Sequence, residues 1–304
     1  MRLLIRKILI YILFVLVFLA GIDVLSFQPA TREFVAKLTA SEEYLKDGSG
    51  ILDAQPYIEK VKAEDGSRVL ILGDSIARQV FLDYPLPEGY VNDVYIAAIG
   101  ITGQYLMALE YLEHHPDAEA INLVVHPETL MSTFDTHYRY VYGVMPFVAN
   151  DMMRNLDPEL IRKMEKVYGR FFMSERGVRF VDGSPLNRKL YLTFLTLNGK
   201  EYVPDPIYRI SEEVLGDLYK VCKERGVTLR LLPSPSSEFY REKIESTRTQ
   251  WEESTLSELF PDYFDSIWYF PNEYTEDLTH FSGEYYTRKF LNTVIEDQYP
   301  MIFE

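Results

Sequence analysis

Two short motifs in the chain carry side chains that together could perform nucleophilic catalysis. The first is Gly73-Asp74-Ser75, and the second is Asp277-Leu278-Thr279-His280 near the C-terminus. A serine hydroxyl becomes a nucleophile when an imidazole takes its proton and a carboxylate orients that imidazole and stabilises its charged form. The residue types therefore predict acyl transfer, with Ser75, His280 and Asp277 as the candidate catalytic residues.

The local pattern predicts that Ser75 lies at a turn between a strand and a helix. Residues 69–72 are an apolar run, Gly73 and Asp74 favour a turn, and a helical pattern begins at Ser75. A serine there is exposed at the C-terminal edge of a sheet, beside backbone N–H groups that can stabilise a developing oxyanion. The alternative is that Ser75 is an ordinary helix N-cap.

The elements around these motifs alternate between short β-rich runs and longer helical patterns. Predicted strands span residues 68–72, 93–98, 121–125, 228–232 and 266–270, and predicted helices span residues 76–82, 103–113, 212–225 and 283–295. This alternation is typical of an α/β protein with a parallel sheet covered by helices on both faces. The serine then follows the first strand and the Asp-x-x-His motif follows the last.

The N-terminus has the pattern of a membrane anchor. Basic residues precede an uncharged apolar run over residues 8–22, and counting on through Leu25 gives about the 20 residues that a spanning helix needs, so residues 1–27 are the predicted anchor. A cleaved signal peptide is the alternative, although the sites at Ala20 and Ala30 lack the second small residue that cleavage favours. Positive charge before the run predicts a cytoplasmic N-terminus and an extracytoplasmic remainder.

The rest of the chain divides into a linker and one domain. Residues 28–66 are mixed and polar, which predicts a stalk, and residues 67–304 form the α/β domain. Residues 127–206 are aromatic and Met-rich with helical patterns, including one predicted helix over 150–168, and are interpreted as an insertion after the third strand.

Composition limits the classes of function. The chain has 304 residues, of which 47% are hydrophobic and 14% aromatic, as in a folded protein. A net charge of -15 argues against a nucleic-acid partner, because phosphate binding needs clustered Lys and Arg. Cys222 is the only cysteine, which excludes an intrachain disulfide and a cysteine-based zinc site. No metal or other cofactor is expected.

With these motifs in this order, the chain resembles the SGNH (GDSL-type) hydrolase superfamily. The resemblance implies a flavodoxin-like three-layer α/β/α fold, a Ser75–His280–Asp277 triad, and oxyanion donors from the Ser75 backbone N–H and from a glycine after the second strand, here Gly100. The family's third donor is an asparagine after the third strand. This chain has His126-Pro127-Glu128 at that place, so His126 is the candidate replacement donor.

The layout is also similar to membrane-anchored relatives that act on bacterial surface polymers, namely the alginate O-acetylation proteins and the D-alanine transfer protein of teichoic acid. That similarity implies O-acylation of an extracytoplasmic polysaccharide through an acyl-Ser75 intermediate, together with a polytopic membrane partner. Two alternatives stay open at this point. One is an esterase that hydrolyses an acylated glycan or lipid, and the other is a non-catalytic glycan-binding or scaffold protein on the same fold.

Overall fold

The computed structural model describes residues 10, 11, 13, 14, 50–94, 99–131, 138–198 and 202–303. Its central sheet has four strands: β1 (Val69–Gly73), β2 (Tyr90–Val94), β3 (Ala120–Val125) and β4 (Thr228–Pro233). The strands are all parallel and lie in the order β2-β1-β3-β4. The predicted α/β architecture with a parallel sheet is therefore confirmed.

The helices within the described residues are, in chain order, α1 (Gly50–Val61), α2 (Ser75–Phe81), α3 (Gly100–His114), α4 (Pro127–Leu130), α5 (Tyr138–Gly143), α6 (Met145–Ala149), α7 (Pro158–Tyr168), α8 (Glu175–Asp182), α9 (Pro185–Asn198), α10 (Arg209–Arg225), α11 (Glu238–Glu245), α12 (Arg248–Glu252), α13 (Thr255–Leu259) and α14 (Arg288–Gln298). Four short 3₁₀ helices span Met152–Asn155, Asn272–Tyr274, Gly283–Tyr285 and Pro300–Ile302.

Apolar side chains cover both faces of the sheet. On β1, Leu70 and Leu72 belong to the larger core cluster, which includes residues of α1, α3 and α10. Ile71 lies on the opposite face, in a smaller cluster with residues of α2 and α14. Because successive residues of a strand point to opposite faces, helices flank the sheet on both sides and the arrangement fits three layers.

The domain begins earlier than predicted, because part of the expected stalk is helix α1. Ala54, Ile58 and Val61 lie on one side of this helix and are at most 3% exposed. Their i, i+4, i+7 spacing is that of an amphipathic helix, and each buried side chain of this kind contributes about 1 to 3 kcal/mol of transfer free energy. Helix α1 therefore packs against the domain core through these three side chains.

Two predicted strands differ from the observed ones. Strand β2 begins at Tyr90, directly after the turn at Gly89, and ends at Val94; residues 95–98 lie outside the described part of the chain. The last predicted strand is reduced to β6 (Tyr269–Phe270), which pairs with β5 (Ser236–Ser237) in a separate two-stranded parallel sheet. Pro235 explains this separation, since a proline between β4 and β5 cannot donate a ladder hydrogen bond.

Proline and capping residues also explain the differences among the helices. The single helix predicted over residues 150–168 is divided, because Asp157 caps α7 and Pro158 occupies its first turn. The helix predicted over residues 283–295 is a 3₁₀ turn followed by α14, whose N-cap is Thr287. Within residues 127–206, the described part of the chain forms α4 to α9 and one 3₁₀ helix, joined by turns and irregular segments.

The predicted membrane anchor is almost wholly outside the described residues. Within the described part of the chain, no helix is both long and apolar enough to cross a bilayer. Only residues 10, 11, 13 and 14 of the apolar run are described. The anchor remains a prediction from the sequence.

Candidate active site

The serine turn depends on Gly73, the last residue of β1. A Cβ atom at this position would lie 2.4 Å from the Ala77 Cβ and 2.7 Å from the Val124 backbone oxygen. Real side chains do not tolerate such distances, so only glycine lets α2 begin directly against the ends of β1 and β3. The glycine of the Gly-Asp-Ser motif is thus required by packing.

Asp74, rather than Ser75, is the N-cap of helix α2. One of its carboxylate oxygens accepts hydrogen bonds from the backbone N–H groups of Ile76 and Ala77, each at 3.0 Å. The other accepts the His126 backbone N–H and the Ser234 hydroxyl, the latter at 3.1 Å. The alternative role of Ser75 as the cap is therefore wrong, and the carboxylate joins the serine turn to the ends of β3 and β4.

The structure brings Ser75, His280 and Asp277 together. Ser75 Oγ lies 2.8 Å from Nε2 of His280, although the two residues are 205 positions apart. Nδ1 of the same imidazole lies 2.7 Å from Oδ2 of Asp277. The side chains of His280 and Asp277 are 36% and 56% exposed, so a substrate in solution can reach them. These are the contacts that a serine–histidine–carboxylate triad requires.

The protonation state of Asp277 determines the orientation of protons in the triad. Partial burial alone would raise its pKa, but hydrogen bonds from the backbone N–H and imidazole of His280 and from the Thr279 N–H outweigh it and lower the pKa to about 2. An ionised carboxylate can only accept, so Nδ1 of His280 carries a proton and donates it to Asp277. In the neutral imidazole, Nε2 is then free to accept the Ser75 hydroxyl proton.

Local contacts shape the loop that carries the histidine. Oδ1 of Asp277 accepts the backbone N–H groups of Thr279 at 2.9 Å and His280 at 2.7 Å. Leu278, between them, has a positive φ of 64°, which is uncommon for a residue with a branched side chain. The Ser237 hydroxyl donates to the Leu278 carbonyl at 2.6 Å and stabilises this tight turn.

The two predicted backbone oxyanion donors lie at the same edge of the sheet. Ser75 is the first residue of α2 and Gly100 the first of α3, and the N–H groups at a helix start have no intrahelical acceptor. Gly100 has a φ of 65°, a conformation that favours glycine. Gln104, one turn into α3, donates from Nε2 to the Gly73 carbonyl at 2.8 Å and so links the two helix starts.

The structure gives His126 a structural position instead of the predicted oxyanion role. Its Nε2 pairs with the Ser236 hydroxyl at 2.8 Å, and its Nδ1 accepts the Glu128 backbone N–H at 3.3 Å. Burial lowers the pKa of His126, which keeps the imidazole neutral despite the nearby carboxylates of Asp74 and Glu128. Both ring nitrogens are thus engaged in capping α4 and holding β5.

The sequence interpretation did not identify several supporting residues. The side-chain amide of Gln79 binds the histidine loop, that of Gln104 binds the serine turn, and the Ser237 hydroxyl binds the Leu278 carbonyl. Each acts on a backbone group at least 31 positions away, so no local pattern reveals it. Across the described ranges, no group of three or more His, Cys, Asp or Glu side chains could hold a metal ion.

In comparisons with known proteins, no family model, curated protein or solved structure matches the chain significantly.

Proposed function

We propose that this chain is a serine acyl-transfer enzyme of the SGNH type, in which Ser75 is the nucleophile. The observation that carries the proposal is the 2.8 Å contact between Ser75 Oγ and Nε2 of His280, with Asp277 on the other side of the imidazole. Two features of the packing support it further. Ser75 is released from any capping role by Asp74, and the triad is open to solvent.

In the first half of the proposed reaction, Nε2 of His280 takes the Ser75 hydroxyl proton as Oγ attacks the acyl carbonyl carbon. The charge that develops on the carbonyl oxygen is stabilised by the backbone N–H groups of Ser75 and Gly100. Asp277 holds the resulting imidazolium in place and stabilises its charge. The imidazolium then returns the proton to the leaving oxygen, which departs as an alcohol and leaves acyl-Ser75.

In the second half, an acceptor hydroxyl gives its proton to Nε2 and attacks the acyl-Ser75 carbonyl. Collapse of the second tetrahedral intermediate breaks the bond to Oγ, and His280 returns the proton to Ser75. Only the acceptor distinguishes transfer from hydrolysis. We propose an extracytoplasmic polysaccharide hydroxyl, because the chain resembles membrane-anchored polymer acylation proteins and carries a basic and then apolar N-terminus. That N-terminus would anchor the enzyme by a single pass, with a polytopic acyl-transfer protein as partner.

Hydrolysis of an acylated glycan or lipid is the second candidate. The exposure of His280 and Asp277, at 36% and 56% of their side chains, favours it, since water has open access to such a site. A transferase must exclude water from the acyl-enzyme, or bind its acceptor faster than water attacks.

Treating the full-length chain in mild detergent with a serine-reactive fluorophosphonate tests the enzymatic proposal. We expect wild-type protein to form one covalent adduct, and Ser75→Ala and His280→Ala to form none or to react far more slowly. An unreactive but well-folded wild type would overturn the proposal and favour a glycan-binding or scaffold protein.

Incubation with an activated acyl donor, with and without an oligosaccharide, then separates the two acceptors. Acylated sugar supports transfer, whereas free acid in equal amounts under both conditions supports hydrolysis. Ser75→Ala is the control for both products, because each depends on the same acyl-enzyme.

A further inference from the structure

The side-chain amide of Gln79 binds both backbone groups of Phe281, the residue that follows the triad histidine. Its Nε2 donates to the Phe281 carbonyl at 3.1 Å, and its Oε1 accepts the Phe281 N–H at 2.9 Å. The two residues are 202 positions apart, so this is a tertiary contact between helix α2 and the histidine loop. An amide suits it because it supplies one donor and one acceptor side by side.

The position of Gln79 relates this contact directly to the triad. Gln79 is four residues after Ser75 in α2, so both side chains lie on the same face of the helix, one turn apart. On the loop, Phe281 is the immediate neighbour of His280. Helix and loop therefore meet at two successive points, which fixes both the distance and the register between them.

The loop needs such a contact because its reactive part is not held by burial. Asp277 and His280 are substantially exposed, whereas the Phe281 side chain is 2% exposed and packs on the Phe270 ring at 4.5 Å. The apolar contact holds Phe281 in the core, and an antiparallel bridge pairs it with Thr275. The Gln79 amide is the contact that ties the Phe281 N–H and carbonyl to the helix that carries Ser75.

The same end of α2 is held by Arg288, at the start of α14. Its guanidinium donates to the Val80 carbonyl at 2.9 Å and to the Gln79 carbonyl at 3.2 Å. These bonds satisfy carbonyl groups at the C-terminal end of the helix and complement its dipole. Gln79 is thus fixed through its own backbone as well as its side chain.

We propose that Gln79 is a positioning residue that sets the register of the His280 loop on helix α2, so that Nε2 reaches the Ser75 hydroxyl. The inference rests on the proposed function, since its consequence is a rate of serine reaction. Displacing a catalytic group by about 1 Å can lower a rate by about 100-fold.

The test measures fluorophosphonate labelling of the full-length chain as a rate constant and as a final extent. Gln79→Leu removes both hydrogen bonds, and we expect its rate constant to fall about 10-fold to 100-fold at an unchanged final extent. Gln79→Glu keeps an acceptor for the Phe281 N–H but directs a carboxylate at the Phe281 carbonyl. We therefore expect its rate constant to lie below that of wild type. A role in stability alone would instead lower the folded fraction measured by circular dichroism, and the rate constant per folded molecule would stay at the wild-type value.

The matched control is Tyr111→Phe, which removes one side-chain bond to a backbone carbonyl, that of Ser67 at 3.0 Å, without contacting the loop. We expect this variant to react at the wild-type rate. A wild-type rate constant in Gln79→Leu would overturn the positioning role, and so would an equal loss of rate in Tyr111→Phe. An unreactive wild type, by contrast, would overturn the proposed function itself.

Discussion

Replacing Asp277 by asparagine should greatly lower the reactivity of Ser75, because it stabilises the wrong tautomer of His280. Oδ1 of Asp277 accepts two backbone N–H groups, from Thr279 at 2.9 Å and His280 at 2.7 Å. In the variant the amide oxygen must keep this place, because an NH₂ group there would face two donors. The NH₂ group then occupies the position of Oδ2, 2.7 Å from Nδ1 of the imidazole.

The expected decrease in reaction rate follows from this geometry. Facing a donor, Nδ1 must be the acceptor, so the single proton of neutral His280 moves to Nε2 and points at Ser75. Nε2 can then no longer take the serine proton. A histidine held in the wrong tautomer lowers turnover by about 10⁴-fold in a triad of this kind. That ratio corresponds to about 5 kcal/mol of transition-state stabilisation.

The assay is the second-order rate constant of fluorophosphonate labelling, with folding of each variant verified by circular dichroism. Asp265→Asn is the control, since it makes the same chemical change at an exposed carboxylate that pairs with Arg248. We expect Asp265→Asn to react like wild type. If folded Asp277→Asn reacts within 10-fold of wild type, the reasoning about the tautomer is refuted.

Three further predictions concern stability, each measured by urea unfolding. Asp74→Ala should lower the free energy of unfolding by about 2 kcal/mol or more, because it removes the cap of α2 and leaves a backbone N–H unpaired. Ser75→Ala should stay within about 0.5 kcal/mol of wild type. Equal losses in the two variants would show that Ser75 is a capping residue. Burial raises the pKa of Asp93 to about 8 despite the charge of Lys60. Its folded pKa exceeds the unfolded one, so the contribution of Asp93 to stability is fully present below about pH 4 and is lost as the pH rises toward 8. Asp93→Asn should remove about 3 to 4 kcal/mol of the loss between pH 5 and 8, and an unchanged pH slope would contradict this. Gly73→Ala should cost about 3 kcal/mol through overpacking, and a neutral effect would contradict the close approach to Ala77.

Local patterns were sufficient to predict strands β1, β3 and β4 of the sheet and to select Ser75, Asp277 and His280 as candidates. The apolar run before Gly73 and the helical pattern after it predicted the serine turn, and β1 and α2 begin within one residue of the predicted positions. The Asp277–His280 contact is equally local, because the two residues are three positions apart. The catalytic role of all three residues stays a prediction until it is measured.

Tertiary contacts explain what the sequence did not reveal. Asp74 reads as part of a turn, and although its cap on α2 is local, its second carboxylate oxygen accepts groups at the ends of β3 and β4 that only the fold brings near. His126 was expected to face the oxyanion, but a partner 110 positions away, Ser236, holds its Nε2. The sequence did not reveal helix α1 because Ala54, Ile58 and Val61 are separated mostly by polar residues in a segment with turn residues on both sides.

The most direct test of the central claim is to find the acyl group on the enzyme. Wild-type chain is mixed with an activated acetyl ester, quenched in acid within the first turnover, digested and analysed by mass spectrometry. The account predicts one acetyl group on the peptide that contains Ser75, absent from Ser75→Ala and strongly reduced in His280→Ala. A folded wild type with no acetyl group on that peptide, or an acetyl group that forms elsewhere and persists in Ser75→Ala, would contradict it.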